Sequence, residues 1–179
     1  MTCTHTCLRL SLFLGCALGA LLSSCSSTAS SAGMVPQRIE IERHHEATVS
    51  IAATGAESGL LSSSPIPGDT LASALEEALL ATQLFTEVLP EAGDYLLEVV
   101  ILDVELPKAA LDMEAEVTSE WTLTRRSTGG KVWKATITGK SISSVHQEMW
   151  VDDRKRAALE GAVRESLSKG LVHLAQLQL

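Results

Sequence analysis

Two alternating segments on either side of the pair Gly129-Gly130 form the clearest structural pattern in this sequence of 179 residues. Between residues 113 and 123, nearly every second residue is apolar, and the residues between them are Glu or Thr. After the glycine pair, the alternating apolar positions are Trp133, Ala135 and Ile137. A period of two places successive side chains on opposite faces of a strand, and a glycine-containing turn joins antiparallel neighbours. The pattern therefore predicts a β-hairpin with one buried face.

Four other segments have the periodicity of regular structure. Residues 39–53 alternate and predict a strand, whereas residues 95–106 are apolar on both faces and predict a central strand. Asp69 is suited to cap a helix whose apolar stripe extends to Phe85, and a last helix begins near residues 152–153. The apolar stripe of the last helix consists of Leu159, Ala162, Val163, Leu167, Leu171 and Leu174. On its outer side, Glu160 with Arg164 and Glu165 with Lys169 have the spacing of ion pairs.

The predicted element order is βαβββα. It fits a two-layer α+β sandwich in which two helices cover one face of a four-stranded mixed sheet. A right-handed βαβ crossover makes the first two strands parallel, and the following strands then alternate in direction. The hairpin tip is consequently expected at the same end of the sheet as the lipid tether. The Gly/Ser/Pro-rich loop over residues 54–68 and the start of the last helix are expected at the opposite end.

The first 25 residues have the composition of a cleavable leader. An apolar stretch over residues 10–22 is shorter than the roughly 20 residues that a membrane-spanning helix needs. The tetrad Leu22-Ser23-Ser24-Cys25 resembles the cleavage site of bacterial lipoproteins, which implies cleavage before Cys25 and acylation of that residue. The predicted regions are a signal peptide over residues 1–24, the lipidated Cys25 with a flexible Ser-rich tether over residues 25–37, and a periplasmic domain over residues 38–179.

The residue after the lipidated cysteine indicates which membrane holds the protein. An Asp at position 26 would resemble an inner-membrane retention signal, but the residue at this position is Ser26. We therefore predict a lipid anchor in the outer membrane, with the domain on the periplasmic face. The other cysteines, Cys3, Cys7 and Cys16, all precede the predicted cleavage site, so neither a disulfide nor a cysteine metal site is expected.

The leader, the element order and the helical segments over residues 75–79 and 158–164 resemble small Gram-negative envelope lipoproteins. Among these is the lipopolysaccharide-assembly lipoprotein family LptE. The resemblance implies a non-enzymatic protein that supports an outer-membrane barrel or transporter. We therefore predict an accessory or assembly factor for an envelope complex. The alternative is a periplasmic module that binds a lipid or a small ligand on the uncovered face of the sheet.

Composition and motifs argue against other functions. The formal net charge is −8, so the chain lacks the basic footprint that binding to nucleic acid requires. The glycines near Ser58 do not have the spacing of a nucleophile elbow, and the segment that ends in Gly139-Lys140-Ser141 lacks the first glycine of a P-loop. We therefore expect no enzymatic activity, no cofactor and no metal site.

A first group of candidate contact residues is expected at the end of the sheet opposite the hairpin tip, where it would bind a protein partner. It consists of Leu60, Leu61, Ile66, Lys108, Arg154, Lys155 and Arg156. Cations in a first helical turn oppose the helix dipole, which favours a role other than helix stability. Asp152 and Asp153 beside them leave open a simple salt-bridged helix start.

A second group, Arg125, Arg126 and Lys131, lies at the hairpin tip. These cations are candidates for contact with anionic headgroups or with lipid phosphates. The alternative is an ordinary solvated turn with basic residues.

Overall fold

The computed structural model describes residues 29–56, 66–106 and 111–179. Within these ranges the chain forms three helices and five strands. In chain order they are α1 (Ser31–Met34), β1 (His45–Thr54), α2 (Gly68–Thr82), β2 (Phe85–Leu89), β3 (Tyr95–Glu105), β4 (Met113–Arg125), β5 (Gly130–Ser143) and α3 (Val151–Ala175). The predicted α+β class is confirmed, but the sheet has five strands rather than four.

The strands form one mixed sheet in the order β2-β1-β3-β4-β5. β1 pairs in parallel with both β2 and β3, which confirms the predicted βαβ crossover. The remaining pairs, β3 with β4 and β4 with β5, are antiparallel. The predicted hairpin is β4–β5, and its pairing extends from Met113 opposite Ser143 to Arg125 opposite Gly130.

The additional strand, β2, corrects the prediction that the first long helix extends to Phe85. α2 ends at Thr82, and Gln83 adopts the left-handed backbone conformation with a φ of 50°. The chain then changes direction, and Phe85 is buried on β2 with its ring 5.3 Å from that of His45. β2 has only five residues and is followed directly by Pro90. Such a short segment shows too few alternations to be recognised from periodicity.

α2 and α3 pack on the same face of the sheet and enclose one hydrophobic core. α2 covers β1 and β2, whereas α3 covers β4 and β5. The six residues predicted for the apolar stripe of α3 are all buried. The largest side chain in the core is Trp121 of β4, which is fully buried beneath α3. Burial of apolar side chains of this size contributes roughly 1.5–3 kcal/mol each, so these contacts dominate the stability of the fold.

Three glycines allow α3 to approach the sheet closely. A Cβ atom at Gly139 of β5 would overlap the carbonyl oxygen of Ala162, which belongs to the helix backbone. A Cβ atom at Gly161 would overlap Ser141, and one at Gly170 would overlap the indole of Trp121. Helix and strand therefore come close enough at these positions that only hydrogen fits between them.

The prediction of a flexible tether over residues 25–37 is corrected for residues 29–34, which are part of the folded domain. From Ala29 onward the chain packs against the folded domain, and residues 31–34 form the single turn α1. Ala29 is 4% exposed and Met34 is fully buried. Small and apolar side chains give this segment something to bury, although its composition resembles that of a linker.

Polar contacts between α1 and α3 hold this segment in place. Glu160 accepts hydrogen bonds from the backbone N–H and the hydroxyl of Ser30, both at 2.8 Å. Arg164 donates to the carbonyl oxygen of Gly33. Glu160 and Arg164 therefore bind α1 instead of forming the predicted intrahelical ion pair with each other. The second predicted pair, Glu165 with Lys169, is confirmed at 3.1 Å.

The contact with Glu160 also corrects the predicted position of the tether. Gly161, the next residue of α3, lies over Ser141, which pairs with Ala115 near the beginning of β4. The hairpin tip lies at the other end of β4, beyond Arg125. Ser30 and α1 are therefore nearer to the end of the sheet where α3 begins than to the hairpin tip.

We expect Glu160→Ala to release α1 from α3. The substitution removes the charged acceptor of two hydrogen bonds, each of which contributes about 1.5–3 kcal/mol when formed to a charged group. Amide hydrogen exchange of residues 29–34 should therefore become faster, while exchange in β3 and β4 should not change. Glu77→Ala on the exposed side of α2 is the matched control. Equal exchange of residues 29–34 in both variants would contradict the role of Glu160.

Candidate functional site

A cleft lies at the end of the sheet where β3 begins and β4 ends, and we refer to it as the arginine cleft. It is lined by Glu46, Ala47, Gly93, Asp94, Tyr95, Arg125, Arg126, Ser127 and Leu179, and its volume is about 490 Å³. Sites for small ligands commonly have volumes of about 300–1,000 Å³. Arg125 and Arg126, predicted for phosphate contact, both line the cleft. Lys131, the third predicted cation, is exposed outside its lining.

Tyr95 holds the side chain of Arg125. The two residues are directly opposite each other on β3 and β4. The Nε and Nη2 atoms of Arg125 donate to the Tyr95 hydroxyl at 3.2 and 3.0 Å, and the guanidinium carbon lies 5.5 Å from the ring centroid. The hydroxyl is a neutral acceptor, so it orients the guanidinium without neutralising its charge.

Ser50 of β1 holds Arg126 in a similar way. The Nε and Nη2 atoms of Arg126 donate to the Ser50 hydroxyl oxygen at 3.2 and 2.7 Å. The backbone N–H of Arg126 donates to the carbonyl oxygen of Asp94 at 2.9 Å. Because Ser50 and Asp94 flank the start of β3, these bonds tie the end of β4 to both neighbouring segments.

Asp94 joins the loop before β3 to β1. Its Oδ2 accepts hydrogen bonds from the backbone N–H and the hydroxyl of Thr48 at 2.9 and 2.8 Å. These two bonds, the backbone bond first, lower the pKa of the Asp94 carboxyl below its usual value, so the group is ionised at neutral pH. Gly93 allows the loop before β3 to lie close to β1, because a Cβ atom at Gly93 would lie 2.6 Å from the backbone of Val49 and Ser50.

The side chains that line the arginine cleft carry balanced charges. Arg125 and Arg126 are cations, whereas Glu46 and Asp94 are carboxylates. The ion pairs formed by the described residues include neither arginine. Tyr95 pairs with Val49 and Ser50 pairs with Leu96, so the hydroxyls that hold Arg125 and Arg126 lie on opposite faces of the sheet. The end of the sheet thus carries charges of both signs.

Arg154 lies at the opposite end of the sheet. It is buried, which corrects the prediction that it contacts a partner. Its side chain is 5% exposed, and its Nη1 donates to the carbonyl oxygens of Glu148 and Met149 at 2.9 and 2.7 Å. Within the described part of the chain, its Nε has no hydrogen-bond partner. Arg154 thus fixes the backbone of the segment before α3.

The segment that Arg154 fixes exposes apolar side chains. Met149 is 78% exposed and Trp150 is 71% exposed. Val145 and Val151 are 40% and 44% exposed. We refer to these four residues as the α3 apolar end. Large apolar side chains that are fixed in position and exposed together are typical of interaction surfaces. The sequence contains no periodic signal for them, because they lie in a turn and at a helix start.

The two cations next to the α3 apolar end are paired within the helix. Lys155 lies 4.0 Å from Asp152, and Arg156 lies 2.9 Å from Asp153. The contacts match the alternative of a salt-bridged helix start. Exposed pairs of this kind contribute little to stability, about 0–1 kcal/mol. Contact of Lys155 and Arg156 with a partner stays a prediction.

Of the remaining residues predicted for partner contact, the structure describes Ile66. Ile66 is fully buried in the core, so the prediction that it contacts a partner is corrected: this loop residue packs inside the domain. Leu60, Leu61 and Lys108 lie outside the described residues, as does the predicted lipidation site Cys25.

The uncovered face of β4 and β5 is polar. Glu116 and Glu120 of β4 form ion pairs with Lys140 and Lys134 of β5 at 2.6 and 2.9 Å. The hydrogen bond and charge of Glu116 raise the pKa of the Lys140 ammonium above its usual value. The large apolar side chains that these two strands expose are Ile142, which pairs with Glu114, and Val132 near the hairpin tip, and the ion pairs lie between them. The two strands therefore lack the continuous apolar surface that lipid binding to the open sheet would need.

Within the described ranges, no three His, Cys, Asp or Glu side chains come together in a way that could hold a metal ion. No helix in the same ranges is sufficiently long and apolar to span a membrane.

Similarity to known proteins is confined to the fold. No protein-family model and no curated protein matches the chain. Protein XCC0632 from Xanthomonas campestris, assigned to family DUF330, has a TM-score of 0.56 at 16% identity, over 79% of this chain and 89% of that protein. Protein CT253 from Chlamydia trachomatis has a TM-score of 0.50 at 8% identity, over 72% and 95% of the two chains. The two likenesses establish a shared α+β fold.

A minor lipoprotein from Acinetobacter baumannii is also similar, with a TM-score of 0.49 at 11% identity, over 74% of this chain and 92% of that one. This likeness is more distant than the other two, and no function is transferred from it.

Proposed function

We propose that this chain is a lipoprotein anchored to the periplasmic face of the outer membrane and that it acts as a non-enzymatic accessory or assembly factor for an envelope complex. The observation that supports this best is the α3 apolar end. Trp150 and Met149 are 71% and 78% exposed, on a segment that the buried Arg154 fixes. Aromatic residues and Met are enriched in protein interfaces, and Trp is a frequent hot spot.

The position of α1 supports a partner that lies close to the membrane. Cys25 precedes the buried Ala29 by four residues, which span at most about 14 Å. α1 is bonded to Glu160, and Trp150 lies about 15 Å from that residue along the helix axis. A lipid on Cys25 would therefore keep the α3 apolar end near the membrane surface. An outer-membrane barrel or transporter presents its periplasmic side there.

The alternative function, a module that binds a lipid or small ligand, has support from a different feature. Ion pairs occupy the uncovered face of β4 and β5, whereas the arginine cleft is a cavity lined by residues of both charges. Any ligand-binding role would therefore use the cleft rather than the sheet face. The resemblance to the LptE family remains a prediction, and no ligand is taken from it.

We expect Trp150→Ala to abolish most of the recovery of an envelope protein partner. Truncation of a hot-spot residue weakens binding by 2 kcal/mol or more, which corresponds to about a 30-fold loss of affinity. The measurement is purification of the tagged protein from gently solubilised membranes, followed by quantitative mass spectrometry of the proteins that accompany it. Leu80→Ala, which removes a 56% exposed apolar side chain from α2, is the matched control.

Two results would contradict the proposed function. One is equal recovery of the same accompanying proteins with Trp150→Ala, Leu80→Ala and the unmodified chain. The other is continued membrane association of Cys25→Ser, which lacks the acylated residue and should appear in the soluble fraction. The two variants separate the binding surface from the anchor, because Trp150→Ala should stay in the membrane fraction.

A further inference from the structure

We propose that Glu165 and Lys169 of α3 shield the outer edge of β5, so that this strand does not pair with β5 of a second copy of the chain. We refer to these two residues as the edge pair. The role of the edge pair goes beyond the proposed function and does not depend on it. Three features support this role: the place of β5 in the sheet, the direction of its backbone groups, and the bonds that α3 forms with them.

β5 is an edge strand. It stands last in the strand order β2-β1-β3-β4-β5, so one of its two edges pairs with no strand of the sheet. Its 14 residues include Val132 and Ile142, which are 41% and 61% exposed. A long, partly apolar edge presents a row of backbone N–H and C=O groups on which another chain can pair. Such an edge needs protection if the copies of the protein are to stay separate.

Alternate residues of β5 direct their backbone groups toward this outer edge. In an antiparallel ladder, the N–H and C=O of one residue both face the neighbouring strand, and those of the next residue both face away. The register of β5 with β4 is regular from residue 143 to residue 133. The N–H of Lys140 and the C=O of Thr138 bond to α3 rather than to β4. The even-numbered positions from 134 to 142 therefore face outward.

The edge pair occupies the middle of this outward row. The Nζ of Lys169 donates to the carbonyl oxygen of Thr138 at 2.9 Å, and the carboxylate of Glu165 accepts from the backbone N–H of Lys140. Glu165 and Lys169 also form an ion pair with each other at 3.1 Å, which holds both side chains over the edge. A strand that added to β5 would need the same backbone groups and the same space.

The charge of Glu165 strengthens its contact with the strand. The hydrogen bond from the Lys140 N–H, and then the bond and charge of Lys169, lower the pKa of the Glu165 carboxyl below its usual value. The group is therefore ionised at neutral pH, and a bond from a backbone N–H to a carboxylate is stronger than one to a neutral acceptor. An incoming strand offers only a neutral carbonyl oxygen in exchange.

The path of α3 determines which part of the edge is shielded. α3 lies directly against β5 at Gly139, and further along the helix Gly170 lies over Trp121 of β4. The helix thus leaves the outer strand toward the hairpin tip. Lys134 and Thr136 are the outward residues that the edge pair does not reach. Two residues offer too few hydrogen bonds to offset the freedom that two copies lose on association.

Analytical ultracentrifugation of the full chain, purified in an excess of detergent micelles, tests the role of the edge pair. We expect the double variant Glu165→Ala with Lys169→Ala to self-associate at a concentration at least about tenfold lower than the unmodified chain, a factor that corresponds to roughly one additional net hydrogen bond. Lys169→Ala alone, which retains the Glu165 acceptor, should associate less than the double variant. The single variant also provides the test if the double variant does not fold, which thermal unfolding reveals.

Glu116→Ala is the matched control. It removes the carboxylate that pairs with the Lys140 ammonium on the uncovered face, and it leaves both bonds of the edge pair in place. Its association should equal that of the unmodified chain. Thr136→Pro, added to the double variant, should restore the monomer, because proline is tolerated on an edge strand but has no N–H for an incoming strand. Amide exchange of Lys134 and Thr136 in the double variant should slow as the protein concentration rises.

Four results would overturn the proposal. The first is a double variant that associates no more than the unmodified chain, and the second is equal association of Glu116→Ala and the double variant. The third is association of the double variant that persists with Thr136→Pro. The fourth is an unmodified chain whose self-association Thr136→Pro abolishes, since its edge would then not be shielded. None of these outcomes bears on the recovery of a protein partner through Trp150.

Discussion

Trp121→Ala is expected to lower the free energy of unfolding by about 4 kcal/mol, since truncation of a buried Trp or Phe removes 3–5 kcal/mol. Trp121 is fully buried, and its Nε1 donates to the hydroxyl of Ser119 at 2.9 Å. Its indole packs edge-on against Trp133 at 6.4 Å and lies beneath Gly170. The substitution leaves a cavity beneath α3 that the helix cannot fill without losing its other contacts.

Urea unfolding monitored by circular dichroism measures this effect. Trp150→Ala is the matched control, because it removes the same side chain from a position that is 71% exposed. The control should change the free energy of unfolding by less than about 0.5 kcal/mol, as expected for a surface substitution. A loss for Trp121→Ala no larger than that of the control would contradict the packing of α3 over β4.

The second large effect is expected for Gly139→Ala, which should lower the free energy of unfolding by about 3 kcal/mol. A Cβ atom at this position would overlap the carbonyl oxygen of Ala162 and would lie 2.6 Å from the backbone nitrogen of Ser166. Both atoms belong to the backbone of α3, so no side chain can rotate away. The helix must move from the sheet, and the buried contacts between them weaken along its length.

Gly130→Ala is the control for this substitution, because its Cβ atom would meet only the Thr128 hydroxyl at 3.3 Å. Urea midpoints of the two variants provide the comparison. A crystal structure of Gly139→Ala should show α3 displaced from β5. An unchanged midpoint together with an unchanged helix position would show that the close approach at Gly139 is not required.

The clearest predictions from the sequence concern elements with long, regular periodicity. The hairpin over β4 and β5 and the buried stripe of α3 are confirmed, because each shows several repeats of its period. The parallel pairing of β1 with β3 is confirmed, because a connection that contains a helix joins parallel strands of one sheet. Burial of one face is sufficient to specify these elements.

The elements that the sequence does not reveal are short. β2 has five residues and α1 has four, so neither contains enough repeats to show a period. Both depend on contacts with residues far away in the chain. β2 is held by pairing with β1, and α1 is held by hydrogen bonds to Glu160 and Arg164 of α3. Their tertiary partners decide whether they form.

The residues of the candidate sites also divide into those that the sequence reveals and those that only the tertiary structure reveals. Arg125 and Arg126 are recognisable from the sequence as a basic pair at a turn, but their partners Tyr95 and Ser50 belong to other strands. Glu46 and Asp94, which complete the arginine cleft, have no local signature. Residues from three strands line the cleft because the sheet brings positions about 30 to 80 residues apart to one end.

Local order along the chain, such as the alternation in β4 and the stripe of α3, is a property of neighbouring residues, so the amino-acid sequence alone specifies it. Burial is a property of the whole fold. The sequence predicts that Arg154 and Ile66 contact a partner at the surface. The packing of α3 and of the loop before α2 instead buries both side chains. Met149 and Trp150 are exposed for the same reason: the backbone that Arg154 holds turns them away from the core. Only the tertiary structure decides which side chains remain available to bind.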